Sequence, residues 1–133
     1  MPTITVFTPT YNREETLRRL YDSLCRQTSF DFEWLIVDDG STDNTENTVS
    51  MFSSAYFSIR YVKKKNGGKH TAYNLALEHA MGTYLLCVDS DDFLTPDAIE
   101  VLREAASPDC GICAYKATVD GIALSSEFPA EVK

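Results

Sequence analysis

Residues 84–92 read Tyr84-Leu85-Leu86-Cys87-Val88-Asp89-Ser90-Asp91-Asp92, a short apolar run followed at once by three carboxylates within four positions. An uninterrupted apolar run of this length is typical of a strand that is buried on both faces, as the strands of a parallel sheet are. Three adjacent carboxylates repel one another, so a divalent cation or several hydrogen-bond donors must offset their charge. The stretch therefore predicts a buried strand that carries an acidic cluster to one edge of a sheet.

The same alternation of apolar runs and helix-period segments extends along the rest of the chain. Besides 84–88, strands are predicted over residues 4–9, 32–37, 57–62 and 111–115, and helices over residues 12–25, 43–53, 72–80 and 95–106. Strands that alternate with helices indicate βαβ units, which build a parallel sheet with helices on its faces. The predicted fold class is α/β, a Rossmann-like three-layer α/β/α arrangement with a mostly parallel sheet.

The ends of these helices are indicated by residue types that cap helices. Asn12, with Glu15 three residues later, predicts a capping box for the first helix. Gly82 predicts the end of the third helix, and Thr95 with Pro96 predicts the start of the fourth. The first helix also carries an apolar stripe at helical spacing, which predicts packing on the sheet through Leu17, Leu20, Tyr21, Leu24 and Cys25.

The composition is that of a globular protein with an acidic balance. Of the 133 residues, 44% are hydrophobic and 24% are charged, and the formal net charge is -8. A chain of this size forms one core, so a single domain over residues 1–133 is expected. Nucleic-acid binding is excluded, because neutralising phosphates needs clustered basic residues. The basic run Lys63-Lys64-Lys65 follows a predicted strand and is interpreted as a solvated edge that discourages sheet pairing.

Features of a secreted or membrane-spanning segment are not found in the sequence. The longest apolar run, 84–88, is far below the roughly 20 residues that cross a bilayer. The N-terminus has no basic and apolar leader, which predicts a cytoplasmic location. There the four cysteines are expected to stay reduced in the core. A zinc or redox role for Cys110 and Cys113 is disfavoured, because positions three apart on a strand point to opposite faces.

Right-handed crossovers place every strand-to-helix loop at the carboxyl edge of the sheet, where open α/β folds bind ligands. The loops there are residues 11–12, 38–40, 66–69 and 89–92. They bring an aromatic ring, a pair of carboxylates, a glycine loop with a lysine and the acidic cluster to one crevice. Mg²⁺ and Mn²⁺ prefer carboxylate and phosphate oxygens, so the crevice fits a metal–diphosphate site.

Taken singly, each motif also fits a structural role. The acidic cluster fits a turn that caps the next helix, the glycine pair fits a turn beside a solvated lysine, and Tyr11 fits a packing role. Asp38 and Asp39 fit either a loop cap or a polar contact with a base edge. The EF-hand, Walker A and dinucleotide-binding patterns are not matched at their glycine or ligand positions. Only the combination of motifs points to one kind of site.

That combination closely resembles family 2 glycosyltransferases over nearly the whole chain. The resemblance is carried, in order, by Pro9-Thr10-Tyr11-Asn12, Val37–Asp43, Asn66–Lys69 with Asn74, and Val88–Asp92. It implies a type-A glycosyltransferase fold, a nucleoside-diphosphate sugar as donor, usually a UDP-sugar, and Mn²⁺ or Mg²⁺ as cofactor. It also implies a saccharide or lipid acceptor and a role in polysaccharide synthesis, with association at the cytoplasmic face of the membrane through sequence outside this chain.

At the nucleoside end of the donor, the resemblance implies that Tyr11 stacks on the base, usually uracil, beside Pro9. Asp39 would accept a hydrogen bond from the ring N–H of that base. At the other end, Asp89 would bind the ribose or the sugar, and Asp91 would bind the metal ion.

The resemblance gives two further residues supporting roles. Asp92 would support the metal site through water or a neighbouring loop, and Lys69 lies in the loop that approaches the base or the diphosphate. Tyr73 departs from the family, since many relatives carry Arg there, and a tyrosine lacks the charge with which that Arg would contact a phosphate.

The chain is shorter than the catalytic domains of this family. It is interpreted as the N-terminal, donor-binding part, and the general base and the acceptor site are expected beyond Lys133. Two other classes remain as alternatives. A nucleotidyltransferase would carry a glycine- and basic-rich phosphate loop at residues 10–14, and a signalling receiver domain would carry an acidic pair there.

Overall fold

The computed structural model describes residues 2–105, 114–118 and 121–125, which form an alternating α/β chain. Its first part runs in the order β1 (Ile4–Thr10), α1 (Glu14–Cys25), β2 (Phe32–Asp38), α2 (Thr45–Ser50), β3 (Ile59–Lys63), α3 (Lys69–His79), β4 (Tyr84–Cys87) and α4 (Ala98–Ala105). The strands β5 (Ala114–Thr118) and β6 (Gly121–Ser125) follow. The first four strands lie within two residues of their predicted bounds.

Strands β1 to β4 form one all-parallel sheet with the order β3-β2-β1-β4. In β1, Ile4 pairs with Phe32 of β2 on one side and with Tyr84 of β4 on the other. The loops that follow these parallel strands therefore meet at one edge. The predicted α/β class with a mostly parallel sheet is confirmed.

The chain after α4 differs from the prediction. β5 and β6 pair antiparallel in a separate two-stranded sheet, with Ala114 opposite Ser125. The strand predicted over residues 111–115 overlaps β5 only at its last two positions, and residues 111–113 lie outside the described ranges. The strand β6 was not predicted from the sequence.

Apolar side chains cover both faces of the parallel sheet, which gives the predicted three layers. The face under α1, α2 and α4 is filled by a large cluster that includes Leu17, Leu20, Leu24, Val49, Ile99 and Leu102. The face under α3 is filled by Phe7, Leu35, Val37, Ala72 and Ala76. Among the described residues, no helix combines the length and the apolar character needed to span a membrane.

Helix α1 begins and ends differently from the prediction. Its N-cap residue is Arg13, which makes no side-chain capping bond, whereas Asn12 has a positive φ of 53° and bonds to another loop. The capping-box prediction is therefore wrong. The predicted apolar stripe is buried except at Tyr21, which is partly covered, and at Cys25, which is exposed at the last position of the helix. Cys25 is thus not a core residue, and Cys110 and Cys113 lie outside the described residues.

Helix α3 ends at His79 without a glycine cap, so the predicted capping role of Gly82 is wrong. Gly82 instead permits a close approach between chain segments. A Cβ at this position would lie 2.5 Å from the backbone nitrogen of Thr5, closer than carbon and nitrogen atoms can approach. The glycine is required by the packing of the chain before β4 against β1.

Helices α2 and α4 begin later than predicted. α4 begins at Ala98, so Thr95 and Pro96 precede the helix instead of starting it. The backbone N–H of Ala98 donates to the carbonyl of Thr95 at 3.1 Å, which closes a turn before the helix. Ile99 and Leu102 are buried as predicted, and position 106 lies outside the described ranges.

A buried polar network ties the strands together at the amino edge of the sheet. Glu33 of β2 is 1% exposed, and its carboxylate accepts hydrogen bonds from the Thr5 hydroxyl at 2.6 Å, Arg60 Nε at 2.9 Å and the Met81 backbone N–H at 2.7 Å. Burial raises the pKa of Glu33, but these donors outweigh it and hold the pKa below its usual value. The ionised Glu33 carboxylate therefore links β1, β2, β3 and the chain before β4 through hydrogen bonds.

Candidate functional site

An open cleft with a volume of about 480 Å³ lies at the carboxyl edge of the parallel sheet. Its walls come from the loops that follow the four strands. Six of the seven predicted site residues line it: Pro9, Tyr11, Asp39, Lys69, Asp89 and Asp91. The seventh, Asp92, lies next to them in the acidic cluster. The topology therefore brings the four predicted loops to one cleft.

Tyr11 directly follows β1 and is 45% exposed at the cleft. The next residue, Asn12, fastens this loop to the loop after β2. Its Oδ1 accepts hydrogen bonds from the backbone N–H groups of Thr42 at 2.8 Å and Asp43 at 3.2 Å, and its own N–H donates to Ser41 Oγ at 2.9 Å. The backbone beside Tyr11 is thus held in place while the ring stays accessible.

The two carboxylates at the end of β2 have different partners. Asp38 is buried and accepts hydrogen bonds from the Ser41 backbone N–H at 2.8 Å and from the Tyr61 hydroxyl. Asp39 lines the cleft, where Oδ1 accepts from the Gly67 N–H at 2.9 Å and Oδ2 from the Gly68 N–H at 3.0 Å. Asp38 therefore shapes its own loop, and Asp39 belongs to the cleft.

Asp39 also forms an ion pair with Lys64, at 2.8 Å between Oδ1 and Nζ, and these side chains are 11% and 17% exposed. The prediction of a solvated lysine edge is therefore wrong for Lys64. It does describe Lys63, which is 42% exposed and lies 3.5 Å from the exposed Glu46. Burial raises the pKa of Asp39, but Lys64 and the backbone donors outweigh it and lower the pKa.

The acidic cluster after β4 holds three carboxylates close together. One oxygen each from Asp89, Asp91 and Asp92 lies within 4.8 Å of the others, with Asp91 exposed and the other two partly buried. Burial raises the pKa of Asp92, and the charges of Asp91 and Asp89 raise it further. This is the repulsion predicted from the sequence. An all-oxygen set of this kind fits a hard divalent cation.

Lys69, the first residue of α3, reaches across the cleft to the acidic cluster. Its Nζ donates to Asp89 Oδ1 at 2.7 Å, and the two side chains are 65% and 44% exposed. The hydrogen bond with Asp89 raises the pKa of Lys69. Because this pair is exposed, its ammonium can exchange Asp89 for an anionic ligand such as a phosphate.

Tyr73 is not among the residues that line the cleft, and two residues that do line it were given no role from the sequence. Tyr73 is 44% exposed and packs edge-on against Phe7, with 5.7 Å between ring centroids. Arg13 and Ser90 line the cleft, although neither was singled out from the sequence. For Arg13 the signal available was its position directly after the Pro9–Asn12 motif, in a loop predicted at the carboxyl edge.

Solved structures with the same fold define the class of this protein. The mannosyltransferase PcManGT from Pyrobaculum calidifontis, in complex with GDP-Man and Mn2+, is similar with a TM-score of 0.72 and 27% identity, covering 87% of this chain and 36% of that one. S. aureus TarS 1-349, in complex with UDP-GlcNAc, is similar with a TM-score of 0.66 and 25% identity, covering 92% and 45%. The parallel sheet with a cleft at its carboxyl edge is a type-A glycosyltransferase fold.

The chain belongs to glycosyl transferase family 2, whose model matches residues 5–123. A chondroitin synthase from Pasteurella multocida (strain Pm70) is 37% identical over 116 residues. These residues are 86% of this chain and 12% of that protein, so the chain spans a small part of its relative. The predicted resemblance to this family is confirmed.

Proposed function

We propose that this domain binds a nucleoside-diphosphate sugar, in particular a UDP-sugar, with Mn²⁺ or Mg²⁺, for transfer of the sugar to a saccharide or lipid acceptor. The observation that carries the proposal is the cleft in which Tyr11, Asp39 and the carboxylates of residues 89–92 meet. It is supported by the chondroitin synthase among the relatives and by similar structures in complex with UDP-GlcNAc and with GDP-Man.

Tyr11 and Asp39 form the nucleoside end of the proposed site, beside Pro9. The accessible Tyr11 ring offers a face on which a base can stack. Among the described residues, Oδ2 of Asp39 accepts a hydrogen bond from Gly68 alone, so this oxygen keeps a lone pair for another donor. A ring N–H of uracil is a donor of that kind.

The acidic cluster and Lys69 form the diphosphate end. Asp91 is the proposed metal ligand, supported by Asp92, and Asp89 is assigned to the ribose or the sugar. When bound, the cation neutralises charge on the leaving nucleoside diphosphate. Lys69 adds a positive charge on the opposite wall once a phosphate replaces Asp89 as its partner.

We propose that residues 1–133 act as one donor-binding domain in a longer cytoplasmic enzyme, which associates with the cytoplasmic face of the membrane through its remaining sequence. The chain spans 12% of the chondroitin synthase and 47% of TarS 1-349. The general base and the acceptor surface are assigned to the rest of that enzyme. The nucleotidyltransferase and receiver alternatives are set aside, since the family match covers residues 5–123.

UDP is expected to raise the melting temperature of this chain in the presence of Mn²⁺ or Mg²⁺ and to have little effect in EDTA. The reason is that an acidic cleft repels a diphosphate unless a cation neutralises both. At a hundredfold excess over Kd, a ligand that binds only the folded state stabilises it by about 2.7 kcal/mol. Thermal melting with UDP, with uridine and with Mn²⁺ alone measures this effect. Equal shifts with UDP in Mn²⁺ and in EDTA would contradict the metal bridge.

Replacing Tyr11 with Ala is expected to weaken UDP binding by about 1 to 3 kcal/mol, because the base loses its stacking partner. Tyr11→Phe should bind nearly as well as the unchanged chain, since stacking needs the ring and not the hydroxyl. Tyr56→Ala is a matched control, because Tyr56 is 73% exposed and is not among the residues of the cleft. Titration calorimetry measures the affinities. A Tyr11→Phe variant as weak as Tyr11→Ala would rule out stacking as the main contact.

A further inference from the structure

Lys64, the middle residue of the run Lys63-Lys64-Lys65, is more buried than its two neighbours. The Lys64 side chain is 17% exposed, whereas Lys63 is 42% exposed and Lys65 is an exposed residue. Lys64 Nζ donates to Asp39 Oδ1 at 2.8 Å and to the carbonyl of Lys65 at 2.6 Å. Two acceptors at these distances hold the ammonium in one place.

The Asp39 carboxylate lies where the loop after β3 folds back onto the loop after β2. Gly67 and Gly68 donate their backbone N–H groups to it, and Asn66 Nδ2 donates to the Asp39 carbonyl at 3.1 Å. The loops approach so closely at Gly40, with φ of 83°, that a Cβ there would lie 2.9 Å from the Asn66 nitrogen. The carboxylate therefore has a fixed position, and Lys64 is its one cationic partner within the part of the chain that the structure describes.

An acceptor for a ring N–H must be aligned with that donor and must carry its lone pair on the cleft side. A largely buried carboxylate keeps such an orientation only while its charge is matched, since an unmatched charge draws water or rotates toward other donors. Lys64 binds Oδ1 of Asp39. Oδ2, which receives the Gly68 N–H, is then the oxygen left for a ligand.

We infer that Lys64 is a positioning residue of the nucleobase subsite: it binds one oxygen of Asp39 and thereby directs the other oxygen toward the ring N–H of a pyrimidine base. The inference rests on the proposed function, because it concerns how the same cleft selects the nucleoside. Lys64 does not itself touch the nucleotide. Loss of Lys64 should therefore weaken the contact with the base and leave the contact with the diphosphate unchanged.

The test compares UDP with inorganic pyrophosphate as ligands of the 133-residue chain in the presence of Mn²⁺, by titration calorimetry. Lys64→Met is expected to weaken UDP binding by roughly tenfold or more, the size of one charge-assisted hydrogen bond, and to leave pyrophosphate binding unchanged. Lys65→Met is the matched control, since it removes a neighbouring lysine without touching Asp39, and it should bind both ligands like the unchanged chain. Asp39→Asn should lose UDP affinity too, and the double variant should lose no more than the larger single loss.

Several outcomes would overturn the inference. Unchanged UDP affinity in Lys64→Met would do so, and equal losses for UDP and pyrophosphate would assign Lys64 to the phosphates or to the fold. If melting shows that Lys64→Met is unfolded, Lys64→Gln replaces it, because glutamine keeps a neutral donor, and an intermediate loss confined to UDP is expected. An unchanged chain that binds pyrophosphate but not UDP contradicts the proposed nucleotide site, and with it this inference.

Discussion

Replacing Asp91 with Asn is expected to weaken Mn²⁺-dependent UDP binding by more than roughly 100-fold, because loss of a residue that merely supports a metal ligand already costs 10- to 100-fold. Asp91 is the exposed member of the acidic cluster, so its oxygens are accessible to an ion that also binds a diphosphate. The fold is expected to keep its stability or to gain slightly, since the substitution removes one of the charges that repel Asp92. The variant should therefore lose UDP binding without losing stability.

Titration calorimetry with UDP and Mn²⁺, together with thermal melting in EDTA, measures the two effects of Asp91→Asn. Asp22→Asn is the matched control, because it removes one exposed carboxylate from α1 outside the cluster. If Asp91→Asn and Asp89→Asn both unfold the chain without ligand, the cluster is a structural cap of the following turn. If Asp91→Asn binds UDP normally, Asp91 is not the metal ligand.

Replacing Glu33 with Ala is expected to lower the free energy of unfolding by about 3 kcal/mol, because each buried donor that is left without an acceptor costs about 1 to 3 kcal/mol. The Met81 N–H and the Thr5 hydroxyl lose their acceptor, and the Arg60 guanidinium keeps the His79 carbonyl but loses its carboxylate partner. Urea unfolding measures the loss. Glu46→Ala should cost no more than about 1 kcal/mol, because Glu46 pairs with Lys63 at the surface. Similar losses of stability in the two variants would contradict the proposal that the buried Glu33 carboxylate links the strands.

The Glu33 carboxylate also makes the stability of the fold depend on pH. The pKa of Glu33 is lowered on folding, so its ionised form contributes stability above the unfolded pKa. This contribution is lost as the pH falls from the ordinary range of glutamate through the folded pKa. Unfolding followed between neutral and acidic pH should show a smaller acid-induced loss of stability in Glu33→Ala than in the unchanged chain. If the free energy of unfolding changes with pH equally in both chains, Glu33 has the same pKa in the folded and unfolded states.

Much of the fold could be predicted because hydrophobic periodicity reports burial directly. The runs that form β1 and β2 place apolar side chains on both faces and are buried along their whole length, as strands inside a parallel sheet with helices on each side are. The run Tyr84–Val88 is apolar throughout, although β4 ends the described sheet and is only partly buried. Helix ends were predicted poorly. Asn12 has a residue type that suits a cap, but its side chain bonds to Thr42 and Asp43 across the loop instead. Cap preferences are local, and a long-range partner outweighs them.

The sequence by itself determined which chemical groups reach the carboxyl edge: an aromatic ring, a carboxylate pair, a lysine and the acidic cluster. This follows because strand order and crossover hand place all βα loops on one side. Only the tertiary structure decided which partners the side chains of each motif have. It bonded Asp38 to Ser41 within its own loop, paired Asp39 with Lys64 out of three adjacent lysines, and buried Glu33 at the opposite edge. The physical reason is that these roles depend on distances of about 3 Å between segments far apart in the chain, and no local pattern encodes such distances.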